Sequence, residues 1–173
     1  MTLYRVSNGT GYSLTSGGVG DQTPTSADVV VVDSNSGTGW TLGASYGSIS
    51  GNSGSYSITP GLLGISIQTG ASAFALAIGG NTLAIGASGI DATGATGLTI
   101  TGSSGGKIGI AGPASSGEAP YWLGSAASVA LDSVDLYTTG RVSLKGSGKK
   151  VCGNIRQATG STIVVASSLN TAS

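Results

Sequence analysis

The sequence predicts an all-β chain and, within that class, a parallel β-helix (β-solenoid), on three observations. From Leu62 onward, pairs of aliphatic residues two apart recur between Gly, Ser, Thr or Asn, as in Leu83/Ile85, Leu98/Ile100 and Ile108/Ile110. Alternation at that spacing puts both aliphatics on one face of a short strand, where a single strand buries too little to be stable but stacked strands share one apolar column. Neighbouring pairs lie about 7 to 15 residues apart, so three strands make a coil of roughly 22 to 28 residues, within the range of solenoid repeats. No stretch carries a helix period.

Taken in order, residues 1–28 are polar and rich in turn signals, with Gly9-Thr10-Gly11, Gly17-Gly18 and Thr23-Pro24-Thr25. Val29 to Val32 form an unbroken β-branched run between Asp28 and Asp33, the pattern of a strand buried on both faces. Trp40-Thr41-Leu42, Tyr46, Ile49, Tyr56 and Ile58 fit short strands with wide turns. Residues 1–60 are therefore expected to cap or attach the solenoid of residues 61–173. Its strands centre on Ile65/Ile67, Phe74/Leu76/Ile78, Leu83/Ile85, Leu98/Ile100, Ile108/Ile110, Val129/Leu131, Val134/Leu136, Val142/Leu144 and Ile163/Val165. An antiparallel β-sandwich is the alternative, since sandwiches also use strands at such intervals. Against it, the hairpin dipeptide Asn-Gly occurs only at Asn8-Gly9, and small residues recur inside strands, where tight stacking wants them.

Residues 112–123 interrupt the pattern, with Pro113, Glu118, Pro120, Tyr121 and Trp122 read as a loop insertion. Such a loop is an exposed contact platform for a glycan or a neighbouring subunit, through Glu118, Tyr121 and Trp122, or else Trp122 packs on a strand edge. Five of the seven basic residues, Arg141, Lys145, Lys149, Lys150 and Arg156, fall near the C-terminal end, with no acid beyond Asp135. They form either a basic patch for an acidic partner or a solvated face that discourages edge pairing.

Composition narrows the function. Only 8% of residues are charged, against about a quarter in an ordinary domain. Net charge is zero, so there is no general attraction to nucleic acid or to an acidic membrane. The chain has no histidine, which removes Ser-His-Asp and Cys-His arrangements and the commonest metal ligand. Cys152 is alone, so there is no intramolecular disulfide framework. Among Asp21, Asp28, Asp33, Asp91, Glu118, Asp132 and Asp135 no pair has the signature of a glycosidase, and Asp132 and Asp135 read as capping a turn. No enzyme, metal or cofactor is expected. Thr2 to Gly11 contain no apolar signal core, and every apolar run is broken by Gly or Ser well short of the roughly 20 residues of a membrane span. An outward-facing composition without an export signal fits a virus particle protein made in the host cytoplasm.

The run Pro24-Thr-Ser-Ala-Asp-Val-Val-Val-Val-Asp-Ser-Asn-Ser-Gly-Thr-Gly39, then Leu42-Gly-Ala-Ser45 and Gly79-Gly-Asn-Thr-Leu-Ala-Ile-Gly86, resembles the opening of tailspike-like β-helical surface proteins of tailed bacteriophages. Similar runs occur in autotransporter-like adhesins. The resemblance implies a right-handed β-helix, a homotrimer and a place on the virion. The role it implies is that of a capsid decoration (cement) protein bridging major capsid subunits, with a tail or fibre adhesin binding host glycan as the alternative. Leu3, Tyr4, Arg5, Pro24, Asp28 and Asp33 are then the expected contacts to the capsid or another virion protein.

Overall fold

The computed structural model describes residues 3–7, 10–13, 24–124, 127–129, 134–146 and 152–165. The described chain is all-β, without a helix. It opens with an antiparallel hairpin of β1 (Leu3–Ser7) and β2 (Thr10–Ser13). After that it visits three rows of parallel strands in rotation.

β3 (Val29–Val32) starts the first row, β4 (Gly39–Thr41) the second, and Tyr46, bridged to Leu83, the third. A second antiparallel hairpin follows, β5 (Gly47–Asn52) with β6 (Ser55–Pro60). The rotation resumes with β7 (Leu62–Ile67), β8 (Phe74–Gly79) and the start of β9 (Thr82–Ala92), whose far end re-enters the first row. β10 (Leu98–Gly102) and β11 (Gly106–Ala111) complete that round, and β12 (Ala119–Leu123), β13 (Ala127–Val129) and β14 (Val134–Thr139) make the next. β15 (Arg141–Lys145), β16 (Ile155–Gln157) and β17 (Thr162–Val165) extend the first and third rows. Because β9 belongs to both, those two rows join into one nearly closed sheet, and β4, β8, β10 and β13 form the second row as a separate sheet.

Register explains the core. Val30, Ile65, Ile90, Tyr121 and Leu144 pair in sequence up the first row, Trp40, Leu76 and Ile100 up the second, and Leu83, Ile108 and Leu136 up the third. All are buried, and together they fill the space between the rows. Removing each Ile or Leu from water contributes about 1.5–3 kcal/mol. β9 turns the corner between two rows at Gly89, which has φ +56°; a Cβ there would lie 1.9 Å from the Pro120 carbonyl oxygen. Only glycine fits that bend.

The second hairpin lies against the outer side of the third row. Ile49 and Ile58 rest over Gly109, where a Cβ would come within 3.0 Å of Ile49 and 3.3 Å of Ile58. The tip is pinned by the Thr159 N–H and hydroxyl, which donate to the Gly54 carbonyl at 2.8 and 2.7 Å.

Three expectations change on contact with this geometry. The antiparallel sandwich is not formed, since among the described strands every pairing outside the two hairpins is parallel. The insertion expected at 112–123 ends early, because residues 119–123 form β12, paired with both β9 and β15. Its alternation of buried and half-buried residues, Ala119, Tyr121 and Leu123 inward, is an ordinary strand pattern that the two prolines mask. Pro120 is tolerated because it comes one residue before pairing with β9 opens at Tyr121. Tyr121 is thus fully buried, not part of an exposed loop. Residues 29–41, expected within a cap, supply β3 and β4 to the same rows as the later strands.

Candidate functional site

Three places on the molecule gather polar and aromatic side chains, two of them singled out from sequence. Near the N-terminal end, Leu3, Tyr4 and Arg5 sit in β1, paired in parallel with Val29 to Val31; their side chains lie outside the described structure. Pro24 is buried. Asp28 is also buried, and its Oδ2 accepts hydrogen bonds from the Thr25 N–H at 2.9 Å and the Thr25 hydroxyl at 2.7 Å. Asp33 accepts from the Asn35 N–H at 2.9 Å and the Ser36 hydroxyl at 3.2 Å. Both carboxylates therefore close turns at the two ends of β3, as short acidic side chains commonly do.

On the outer side of the first row, Trp122 lies in register between Asp91 and Lys145. The Lys145 ammonium sits 4.1 Å from the Trp122 ring centroid, a cation–π contact, and Trp122 is partly buried. The indole Nε1 is buried without a hydrogen-bond partner. At the other end of β15, Arg141 Nη2 meets Glu118 Oε1 at 3.2 Å. The expected basic patch is divided: Lys145 lies over Trp122, Arg141 sits at the other end of β15 against Glu118, Arg156 lies on β16 in another row, and Lys149 and Lys150 are outside the described residues.

The third place, which sequence reasoning misses, is on the outer side of the third row. Tyr137 of β14 is flanked there by Gly109 and Arg156 in register. The Tyr56 ring from the second hairpin meets it edge-on, with centroids 5.2 Å apart at 81°. The Tyr56 hydroxyl accepts from the Thr138 N–H at 3.2 Å and bonds to the carbonyls of Thr138 and Arg156, filling the gap between hairpin and sheet. Burial raises the pKa of that phenol above its ordinary value, so it stays a neutral donor. Lys107 Nζ and Arg156 Cζ each lie 5.7 Å from the Tyr137 ring centroid. Asp135 accepts from Arg156 Nε at 3.1 Å and from the Asn154 amide at 2.9 Å.

Beside this cluster runs an open cleft of about 520 Å³, walled by the hairpin tip (Gly51 to Gly54 and Tyr56) on one side and by Tyr137 and Ile155 to Gln157 on the other. Its signal in the sequence is Ser-Ile-Ser-Gly-Asn-Ser-Gly-Ser-Tyr-Ser-Ile, two alternating runs around a Ser-Gly turn. That pattern does not say on which row the hairpin lies.

No protein-family model, curated protein or solved structure matches this chain. What the molecule does has to be read from its own geometry.

Chemically that geometry is quiet. Asp91 is taken up by the Thr93 N–H and hydroxyl at 3.1 and 2.8 Å, so all five described acidic side chains are engaged in turns or pairs. Among the described residues no three His, Cys, Asp or Glu side chains gather as a metal site. Cys152 is buried, and burial followed by the charge of Asp135 pushes its thiol up to about 12. A thiol held neutral is a poor nucleophile.

Proposed function

We propose that the chain is a right-handed, three-faced parallel β-helix that acts by holding and touching, without catalysis: a virion surface protein of the capsid-decoration kind, working as a homotrimer. The observation that carries this reading is the contrast between the second row and the other two. The outward positions of β4, β8 and β10 are Gly39, Thr41, Ala75, Ala77, Thr99 and Thr101, in register across the row and without a charge. Every described charged side chain lies elsewhere. Charge depletion on a flat face of small side chains marks the centre of a subunit contact, and three such faces close around a three-fold axis. A trimer bound at several weak contacts is retained far more strongly than any one contact allows, which is what a protein bridging capsid subunits needs.

Sedimentation of the isolated chain tests the assembly. A trimer is expected, and Ala77→Lys with Thr101→Lys should dissociate it while leaving circular dichroism unchanged; a native monomer overturns it. Particles lacking the protein should release DNA at lower temperature, and equal heat stability with and without it counts against the decoration role.

A second reading, a tail or fibre adhesin, is favoured by the cleft beside Tyr56 and Tyr137. Its contact residues would differ from the sequence expectation, since Tyr121 is interior and Trp122 is partly buried with Lys145 over its ring.

A further inference from the structure

We infer that the cleft between the tip of the second hairpin and strands β14 and β16 binds a short carboxylate-bearing oligosaccharide. The inference deepens the adhesin reading and is independent of the trimer. Three observations carry it.

The first is shape. An open trough of about 520 Å³ has room for a few sugar rings and stays open to solvent along its length, as a chain polymer requires. The second is the composition of its walls. Tyr56 and Tyr137 offer ring surface to the apolar C–H face of a pyranose, and their edge-to-face contact at 5.2 Å holds them in place before anything binds. Around them stand polar groups suited to sugar hydroxyls, the exposed amide of Asn52, the exposed backbone at Gly51, and the side-chain oxygen of Gln157, whose Nε2 donates to the Ser161 carbonyl. The third is charge. Among the described residues Arg156 is the only charged one in the wall, and its side chain is 50% exposed. Asp135 engages its Nε alone; among the described residues its two terminal nitrogens donate to nothing. A guanidinium fixed through Nε, with its outer fork open, is set to receive a carboxylate at two points. Lys107, on the same Tyr137 ring, adds a second positive charge nearby with no acidic partner among the described residues. Against the single Asp135 the cluster keeps one net positive charge, which favours an acidic sugar over a neutral one.

The test is calorimetric titration of the whole chain with trigalacturonate and with sialyllactose, using maltotriose as the neutral comparison. At least one acidic sugar should bind saturably, roughly tenfold or more tighter than maltotriose, the expected share of one charge-assisted contact. Added salt should weaken it. Arg156→Gln, at an exposed position, should bring the acidic sugar down to the neutral level with an unchanged melting temperature. Tyr137→Leu should weaken both sugars. Trp122→Ala should leave binding unchanged. Absence of saturable binding to either acidic sugar overturns the inference, as does full affinity in Arg156→Gln or loss of affinity confined to Trp122→Ala. None of these outcomes bears on sedimentation, so failure here leaves the trimer standing.

Discussion

The inside of the stack and the outer side of its third row are built on opposite principles. Inside, one rule repeats: an aliphatic residue stands above another in the same register, so Leu83, Ile108 and Leu136 are nearly interchangeable in kind. Outside, nothing repeats. Thr82, Lys107 and Asp135 share one register, Ala84, Gly109, Tyr137 and Arg156 the next, and the hairpin covers only part of them. Burial makes the interior columns uniform, because any polar or ill-fitting side chain there costs stability at every level it touches. The exterior is free to vary, and what varies is where contact with other molecules can be written.

Cutting the interior should produce the largest effect. Ile108→Ala removes a fully buried side chain between Leu83 and Leu136, and a loss of about 2–5 kcal/mol is expected in denaturant unfolding. A loss no greater than that of an exposed alanine substitution would mean the columns do not bear the load assigned to them.

Alkali sharpens the same comparison. The Cys152 thiol ordinarily titrates near 9.0 and in the fold is held up to about 12, while burial, with the neighbouring Cys152 adding to it, also raises the Tyr121 phenol above its ordinary 10.0. Raised acids keep their protons in the folded state and release them on unfolding. Their contribution is therefore full below pH 9.0 and falls as pH rises from 9.0 towards 12. Cys152→Ser and Tyr121→Phe should each flatten the alkaline limb of stability against pH.

These two effects concern the part of the molecule that is legible in the chain itself. Paired aliphatics identify interior positions because their spacing is local, and that spacing alone marks the strands at Ile65/Ile67, Leu98/Ile100 and Val142/Leu144. Period two also underlies β12, but Pro113 and Pro120 obscure the alternation of Ala119, Tyr121 and Leu123. The cleft is not legible in the same way. It depends on Tyr56 reaching Thr138 and on Thr159 reaching Gly54, contacts more than eighty residues apart in sequence that no local pattern encodes. Asp28 and Asp33 mislead for a simpler reason: an acid beside a strand reads alike whether it faces a partner or closes its own turn.

The hairpin is where inside and outside meet, and Tyr56→Phe probes that junction. The substitution keeps the ring against Tyr137 and removes the hydroxyl that accepts from the Thr138 N–H and reaches two carbonyls. The Thr138 N–H keeps the Arg156 carbonyl as its ladder partner, so what is lost is one part-buried side-chain hydrogen bond, a cost of about 0.5–1.5 kcal/mol. Hydrogen exchange should show faster opening across residues 47–60 while the amides of β9 and β11 keep their protection.

The smallest effect should come from Asp135→Asn. The pair it forms with Arg156 is partly exposed, with side-chain exposures of 25% and 50%, and such pairs contribute roughly 0.2–1 kcal/mol. Stability should barely move. Affinity for an acidic sugar should rise, because the cluster gains one positive charge while an Asn side-chain oxygen can still accept from the Arg156 Nε. Stability and binding thus respond in opposite proportion at Ile108 and at Asp135: the interior substitution disturbs the fold strongly and the cleft only through it, and the surface substitution disturbs the cleft alone. A large stability loss in Asp135→Asn, with no change in sugar affinity, would mean that the outer cluster is a structural brace and that the cleft beside it is incidental.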